Sequence, residues 1–237
     1  MNGTVLDRAF YDRPVVRVAQ ELLGKRLVRD WQGQRVSGLI VEAEAYLAAG
    51  DPASHSYRGP TRRNRSMFGP PGHAYVYTIH TRYCLNVVCE SQGVGAAVLI
   101  RAVEPEEGME LMARWRSRSN PLDWTRGPGR LCEAFQLNLQ WDGWDLTTGH
   151  GLWIEQGPAL PEWTLGVSPR IGIRLAQELP LRFFVQGHCF VSGTRRLNGH
   201  TQAGFAWLQQ LPVGASRRKA VMNFPKPQSP RQSKLDN

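Results

Sequence analysis

Long apolar runs, paired cysteines and lysine are what this 237-residue chain lacks. No stretch approaches the roughly 18 consecutive apolar residues that a bilayer crossing requires, so a membrane span and a membrane partner are excluded on this reading. The opening Met1-Asn2-Gly3-Thr4 lacks the basic-then-apolar order of a secretory leader, and the chain reads as cytoplasmic. Its four cysteines, Cys84, Cys89, Cys132 and Cys189, show no C-x-x-C and no Cys/His pairing at zinc spacing. Buried free thiols are expected, with no metal and no cofactor. Lysine is nearly absent from residues 1–194, where Lys25 stands alone.

What is abundant is arginine. The net charge is +9, but residues 195–237 hold eight basic groups against the single acid Asp236, so most of the excess sits in a tail. A basic balance favours a polyanion partner; here it describes the tail more than the body. The reading therefore divides the chain into a body, 1–194, and a basic, partly disordered tail, 195–237, in which only Phe205-Ala206-Trp207-Leu208 is an apolar cluster.

Along the body, Asp12-Arg13-Pro14 followed by Val15, Val18, Ala19, Leu22 and Leu23 predicts a capped amphipathic helix. Lys25–Trp31 and Gln34–Tyr46 predict a hairpin turning at Gln32-Gly33. A long polar connection runs from Leu47 to about Gly72, and loops of that length are usually functional or disordered. Strands are expected at Ala74–Ile79, Tyr83–Cys89, Ala97–Val103, Leu152–Glu155, Arg170–Arg174 and Arg182–Val185. Helices are expected at Glu104–Arg118, acidic at its start and basic at its end, and from Gly129-Arg130 onward. The fold class that follows is α+β, a single domain with a curved, mostly antiparallel sheet flanked by helices.

The chemistry gathers in a few places. Alternation puts Ile40, Glu42, Glu44 and Tyr46 on one face of a strand, opposite Leu39, Val41, Ala43 and Ala45. His55 follows, and then Arg58, Arg62, Arg63 and Arg65 with no acid among them, a density that suits phosphate. Tyr75, Tyr77 and Ile79 share a strand face that can serve as core or as a stacking wall for a flat ligand. Arg101 interrupts an apolar strand and must find solvent or a carboxylate such as Glu42 or Glu44. Asn86 is likewise alone among apolar neighbours, and Gly127-Pro128-Gly129-Arg130 opens a helix whose free amides could hold an anion.

Taken in order, these residues resemble one family. Ile40–Tyr46 (IVEAEAY), Ala53-Ser54-His55-Ser56, Arg63–Phe68 (RNRSMF), Tyr75-Val76-Tyr77 and Cys84–Val88 (CLNVV) carry the likeness. Val98–Pro105, Gly127–Leu131 and Pro169–Ile173 extend it, so that it spans about residues 10–193. The family is that of the alkyladenine (3-methyladenine) DNA glycosylases.

The resemblance implies hydrolysis of the N-glycosidic bond of an alkylated or deaminated purine flipped out of double-stranded DNA, in base excision repair. It makes Glu44 the general base, with Arg101 and the Ile171 carbonyl holding the attacking water. Tyr46 and His55 would sandwich the base, Tyr77 would add a wall, and Asn86 would crowd the 2-amino group of normal guanine. Arg58, Arg62, Arg63, Arg65, Arg82 and Arg130 fall to DNA binding. Animal members wedge a tyrosine into the vacated stack; Tyr77–Tyr83 is about one residue shorter here, and His80 falls nearest that position. The enzyme would work as a monomer in the cytoplasm, at the nucleoid in a prokaryote.

Two readings from other classes compete. A non-catalytic nucleic-acid-binding module on the same scaffold would not need Glu44, His55, Asn86 and Arg101 together. A carbohydrate hydrolase using Glu42 and Glu44 needs its carboxylates to flank a bond, whereas these sit side by side on one strand. The scarcity of lysine adds a point of its own. A bifunctional glycosylase requires an amine for a Schiff base, and Lys25 at a strand start is the body's only one. Borohydride treatment during reaction on lesion-bearing DNA is expected to trap no covalent protein–DNA adduct; a trapped adduct would establish bifunctional chemistry instead.

Overall fold

The computed structural model describes residues 3–158 and 164–199. Of the expected basic tail only the first residues fall within that range, with Arg195–Asn198 forming one helical turn. Its disorder and the Phe205–Leu208 cluster lie outside the described residues.

Eight strands form one curled sheet: β1 (Arg26–Trp31), β2 (Gln34–Tyr46), β3 (Ala74–Ile79), β4 (Arg82–Cys89), β5 (Ala96–Glu107), β6 (Leu152–Glu155), β7 (Leu165–Ser168) and β8 (Arg182–Val185). Every pairing is antiparallel, and the main path runs β3-β4-β5-β2-β1-β6. Small helices border it: α1 (Arg8–Tyr11), α2 (Val15–Glu21), α3 (Met109–Arg116), α4 (Leu122–Thr125), α5 (Pro128–Ala134) and α6 (Arg195–Asn198). The α+β expectation, with its antiparallel curved sheet, is what the structure shows.

The β1–β2 hairpin forms because Gln32 and Gly33 both take positive φ, 52° and 81°, which matches a two-residue turn to strand twist. Strand β2 is the organiser. One edge pairs with β5 along its length; the other pairs with β1 as far as Leu39 and then with β8 from Glu42 to Glu44. At that changeover the β2–β5 ladder is irregular. Val41 is extra on β2, and Arg101 is extra on β5, before the register is restored at Ala43↔Ile100.

Each extra residue shifts its strand's alternation by one. Ile40 therefore packs in the main core with Ala43 and Ala45, and not on the face of Glu42 and Glu44 as unbroken alternation predicts. Val41 joins Ala102, Phe184, Phe190 and Val191 on the opposite side.

Other expectations are corrected in the same physical terms. Glu104, Glu106 and Glu107 belong to the end of β5, not to a helix, and pair with His188, Arg26 and Arg35. Helix α3 waits for Gly108, whose φ of +70° and closeness to Val36 leave no room for a side chain. Arg170–Arg174 is irregular and bends at Ile171-Gly172, where Gly172 sits at φ +80°, and the strand lies earlier, at β7. Cys84, Cys89 and Cys132 are buried free thiols, but Cys189 is exposed.

The first long helix begins later than its apparent cap. Asp12 bonds Ser91 instead, and Pro14 takes the N-cap position of α2 with no side chain to offer. The free Val15 N–H goes to Glu90 Oε1 at 3.0 Å, a cap supplied from the end of β4. Removing such an acceptor costs about 1 kcal/mol. Glu90→Ala is expected to lower the unfolding free energy in urea by about that much, while Glu90→Gln, which keeps an acceptor, retains most of it.

Candidate active site

Strand β3 turns Tyr75 and Tyr77 toward one face of the sheet, and Asn86 stands beside Tyr75 on the paired rung of β4. Together with Tyr46 at the end of β2, His55 and Met67, they line a cavity of about 220 Å³, counting the part open to solvent. Aromatic rings dominate its wall. The His55 ring meets Tyr77 edge-on at 4.5 Å between centroids, and its Nδ1 lies 2.8 Å from the Tyr75 hydroxyl. Burial against these rings, helped by the Arg63 charge, holds the His55 pKa below its ordinary 6.5. Asn86 Nδ2 donates to the Tyr75 carbonyl at 3.0 Å, so its amide plane is fixed.

His55 arrives on a loop that is anchored from within. Asn64, buried, donates to the carbonyls of His55 and Gly59 and accepts from the Thr61 amide and hydroxyl. Asp51, fully buried, accepts from the Leu47 and Ala53 amides. Polar side chains near their own backbone favour such local bonds. Met67 comes from the single-turn 3₁₀ helix Arg65–Phe68 that follows.

Glu44 is fully buried at the cavity's edge and reaches it through Tyr46, whose hydroxyl donates to Glu44 Oε2 at 3.0 Å. Its other oxygen accepts the Ile171 N–H at 2.7 Å and faces Arg101 NH1 at 3.2 Å. The residue expected to act through its carbonyl thus meets Glu44 through its amide.

Glu42, also fully buried, takes a different set of donors. Arg101 Nε at 2.9 Å, Arg182 Nε at 2.7 Å and both the amide and hydroxyl of Ser192 converge on it. Burial alone would raise its pKa; the Arg101 and Arg182 charges outweigh that and hold it below the ordinary 4.5. A carboxylate so committed cannot be one of a pair flanking a scissile bond, and the carbohydrate-hydrolase reading falls here.

A third buried pair lies behind Tyr46. Arg170 grips Asp51 with both terminal nitrogens, at 2.6 and 2.7 Å, donates to the Ala45 carbonyl, and sets its guanidinium carbon 4.6 Å from the Tyr46 ring centroid.

The arginines expected on the surface divide into two groups. Arg58, Arg62, Arg63 and Arg65 are exposed around the His55 loop, with Arg63 resting on the Thr78 carbonyl at the β3–β4 hairpin. His80 stands at that hairpin's tip with φ 50°, beside an exposed Ile79. Arg82 and Arg130 are instead engaged within the molecule, with Glu133 and Asp123. Arg82 packs across Gly129 at the start of α5, so the Gly-Pro-Gly segment meets the hairpin. Among the described residues no cluster of His, Cys, Asp or Glu could hold a metal ion, and no helix is long and apolar enough to cross a membrane.

Several contributors carry no role legible in the sequence: Tyr75 shows only as part of a strand face with Tyr77, and Met67, Asn64, Asp51, Arg170 and Arg182 gain their parts from the fold. Arg182 carried the same signal that marked Arg101, a lone cation between apolar neighbours in Leu181-Arg182-Phe183-Phe184.

Comparison with known proteins identifies the family. A family model described as methylpurine-DNA glycosylase matches residues 9–189. A Rhodopirellula baltica protein named "Putative 3-methyladenine DNA glycosylase" is 46% identical over 196 residues, covering 81% of this chain and 84% of its own. Proteins of the same name from Carboxydothermus hydrogenoformans and Burkholderia lata are 44% and 47% identical, covering 79% and 82% of this chain and 98% and 95% of their own. The chain belongs to the methylpurine-DNA glycosylase family, and with it to the DNA glycosylases as a class of enzyme.

Glu42 is the carboxylate partner of Arg182, which is itself completely buried. Glu42→Gln is therefore expected to destabilise the protein by about 3–5 kcal/mol, the usual cost of stranding a buried charge. Because the folded Glu42 pKa is depressed, its contribution is present above about pH 4.5 and is lost as pH falls through the lower folded value. Urea midpoints of parent and variant should differ widely at neutral pH and converge in acid.

Proposed function

We propose that this chain is a monofunctional DNA glycosylase that, as a monomer, releases alkylated or deaminated purines from double-stranded DNA in base excision repair. Its substrates on this reading are 3-methyladenine, 7-methylguanine, hypoxanthine and ethenoadenine. The observation that carries the proposal is the cavity itself, with four aromatic or imidazole side chains and one fixed amide set against a buried Glu44–Arg101 pair. A base reaches such a cavity only after leaving the helical stack.

In the proposed reaction Tyr46 and His55 hold the flipped base between their faces and Tyr77 closes the wall, each stacked ring being worth about 1–3 kcal/mol. Asn86 crowds the 2-amino group of normal guanine. Glu44 takes the proton of a water that attacks C1′, while its negative charge stabilises the developing oxocarbenium ion. Arg101 and the Ile171 carbonyl would help hold that water, while Arg101 and the Ile171 N–H also fix the Glu44 carboxylate. Alkylation at N3 or N7 makes the purine cationic and so a better leaving group. A neutral lesion such as hypoxanthine needs hydrogen bonding or protonation of the departing base.

Arg58, Arg62, Arg63 and Arg65 would carry the phosphate contacts, which position the protein without reading sequence. His80 at the hairpin tip is the proposed wedge. Arg82 and Arg130 would reach DNA only by exchanging their present carboxylate partners, and are assigned a supporting part. Lys25 bonds Gln156 at the start of β1 and is not proposed to act as a nucleophile.

Glu44→Gln tests the reading. The parent is expected to release hypoxanthine and 7-methylguanine from duplex DNA, and the variant to lose at least about 100-fold in single-turnover rate. Undiminished release by the variant would remove Glu44 as the base.

A further inference from the structure

We propose that the Arg170 guanidinium, held behind Tyr46 by Asp51, sets the preference of the pocket between cationic and neutral bases. The inference rests on the reading of Tyr46 as a stacking surface for the target base.

The Arg170–Asp51 pair is fully buried and bidentate. As a source of stability it is a poor choice, since apolar side chains of similar volume commonly do as well in such a place. Its location gives it another use. The guanidinium carbon lies 4.6 Å from the Tyr46 centroid, and Arg170 does not line the cavity, so the ring separates the cation from the bound base. One face of the ring's negative quadrupole is thereby already committed to a cation. A second cation stacked on the opposite face meets a ring whose electron density is drawn backward, and a like charge that buried surroundings screen weakly. A neutral purine pays neither cost.

Asp51 offsets part of the charge. It cannot drift, because its two oxygens also accept the Leu47 and Ala53 amides. Arginine stays protonated under any working condition, so the charge behind the ring is constant and only its compensation can be altered. Arg170 thus acts through Tyr46 as a positioning and specificity residue.

The test is the ratio of single-turnover release rates on duplexes bearing 7-methylguanine, a cation, and hypoxanthine, which is neutral. Asp51→Asn leaves the cation uncompensated and should lower the 7-methylguanine to hypoxanthine ratio. Arg170→Gln removes the cation and should raise it. Each shift is expected to be about fivefold, the scale of one partly buried cation–π contact. Arg170→Lys, which keeps the charge, should stay near the parent ratio. If a single variant does not fold, the double variant Asp51→Asn/Arg170→Gln supplies a neutral pair of the same shape, and it should move the ratio as Arg170→Gln does.

A merely structural pair would slow both substrates and shift the ratio in one direction in every variant. That result, or an unchanged ratio, overturns the inference while leaving the glycosylase reading intact. Release of neither base by the parent would instead overturn the glycosylase reading, and this inference with it.

Discussion

The structure depends on one buried carboxylate. Glu42 sits where β2 changes neighbour from β1 to β8, and it receives Arg101 from β5, Arg182 from β8 and Ser192 from the segment beyond. Three separate stretches of chain are thus joined at one side chain without solvent. Such an arrangement is costly to assemble and costlier to break, and it holds the sheet together where backbone pairing alone is least regular. The acid end of the site is placed relative to that point: Glu44 two residues on, Tyr46 two further, and Arg101 shared between both acids.

The ladder irregularities at Val41 and Arg101 belong to the same solution. Two opposed bulges let both strands change phase while keeping overall register. As a result, charged groups gather on one side of the sheet while Ala43, Ala45, Val98 and Ile100 keep the core on the other. Around the cavity three buried acids, Glu42, Glu44 and Asp51, answer three buried arginines, Arg101, Arg170 and Arg182. Burying unpaired charge would be prohibitive; burying it in balance leaves strong, fixed local fields inside a site with little net charge.

Much of this was legible in the sequence. Strand limits at β1–β2, β3, β6 and β8 follow from alternation and turn residues, and a lone arginine amid apolar neighbours correctly signalled the Arg101 pairing. The fold class followed from strands in adjacent runs. What was not legible came from non-local pairing. A bulge leaves no mark in periodicity, so unbroken alternation puts Ile40 on the wrong face. Glu104–Glu107 read as a helical first turn because their partners, Arg26, Arg35 and His188, are remote in sequence. Asp51 and Asn64 look like ordinary loop residues and Arg170 like the start of a strand, since their work is to fix a loop whose shape only the fold defines. The roles of the individual pocket residues rest on the family resemblance, because stacking walls and core strands share one pattern.

The loop between β2 and the 3₁₀ helix is sorted by direction. Its inward side chains, Asp51, Ser54, Ser56 and Asn64, make the bonds that shape it. Its outward arginines Arg58 and Arg62 make none among the described residues. The two sets occupy the same few residues of chain, yet they are mechanically independent. Surface charge there can be lost, gained or rearranged by single mutations without altering the placement of His55. The outer charge of this segment can therefore change without unmaking the loop beneath it, Arg63 apart, whose charge also bears on His55.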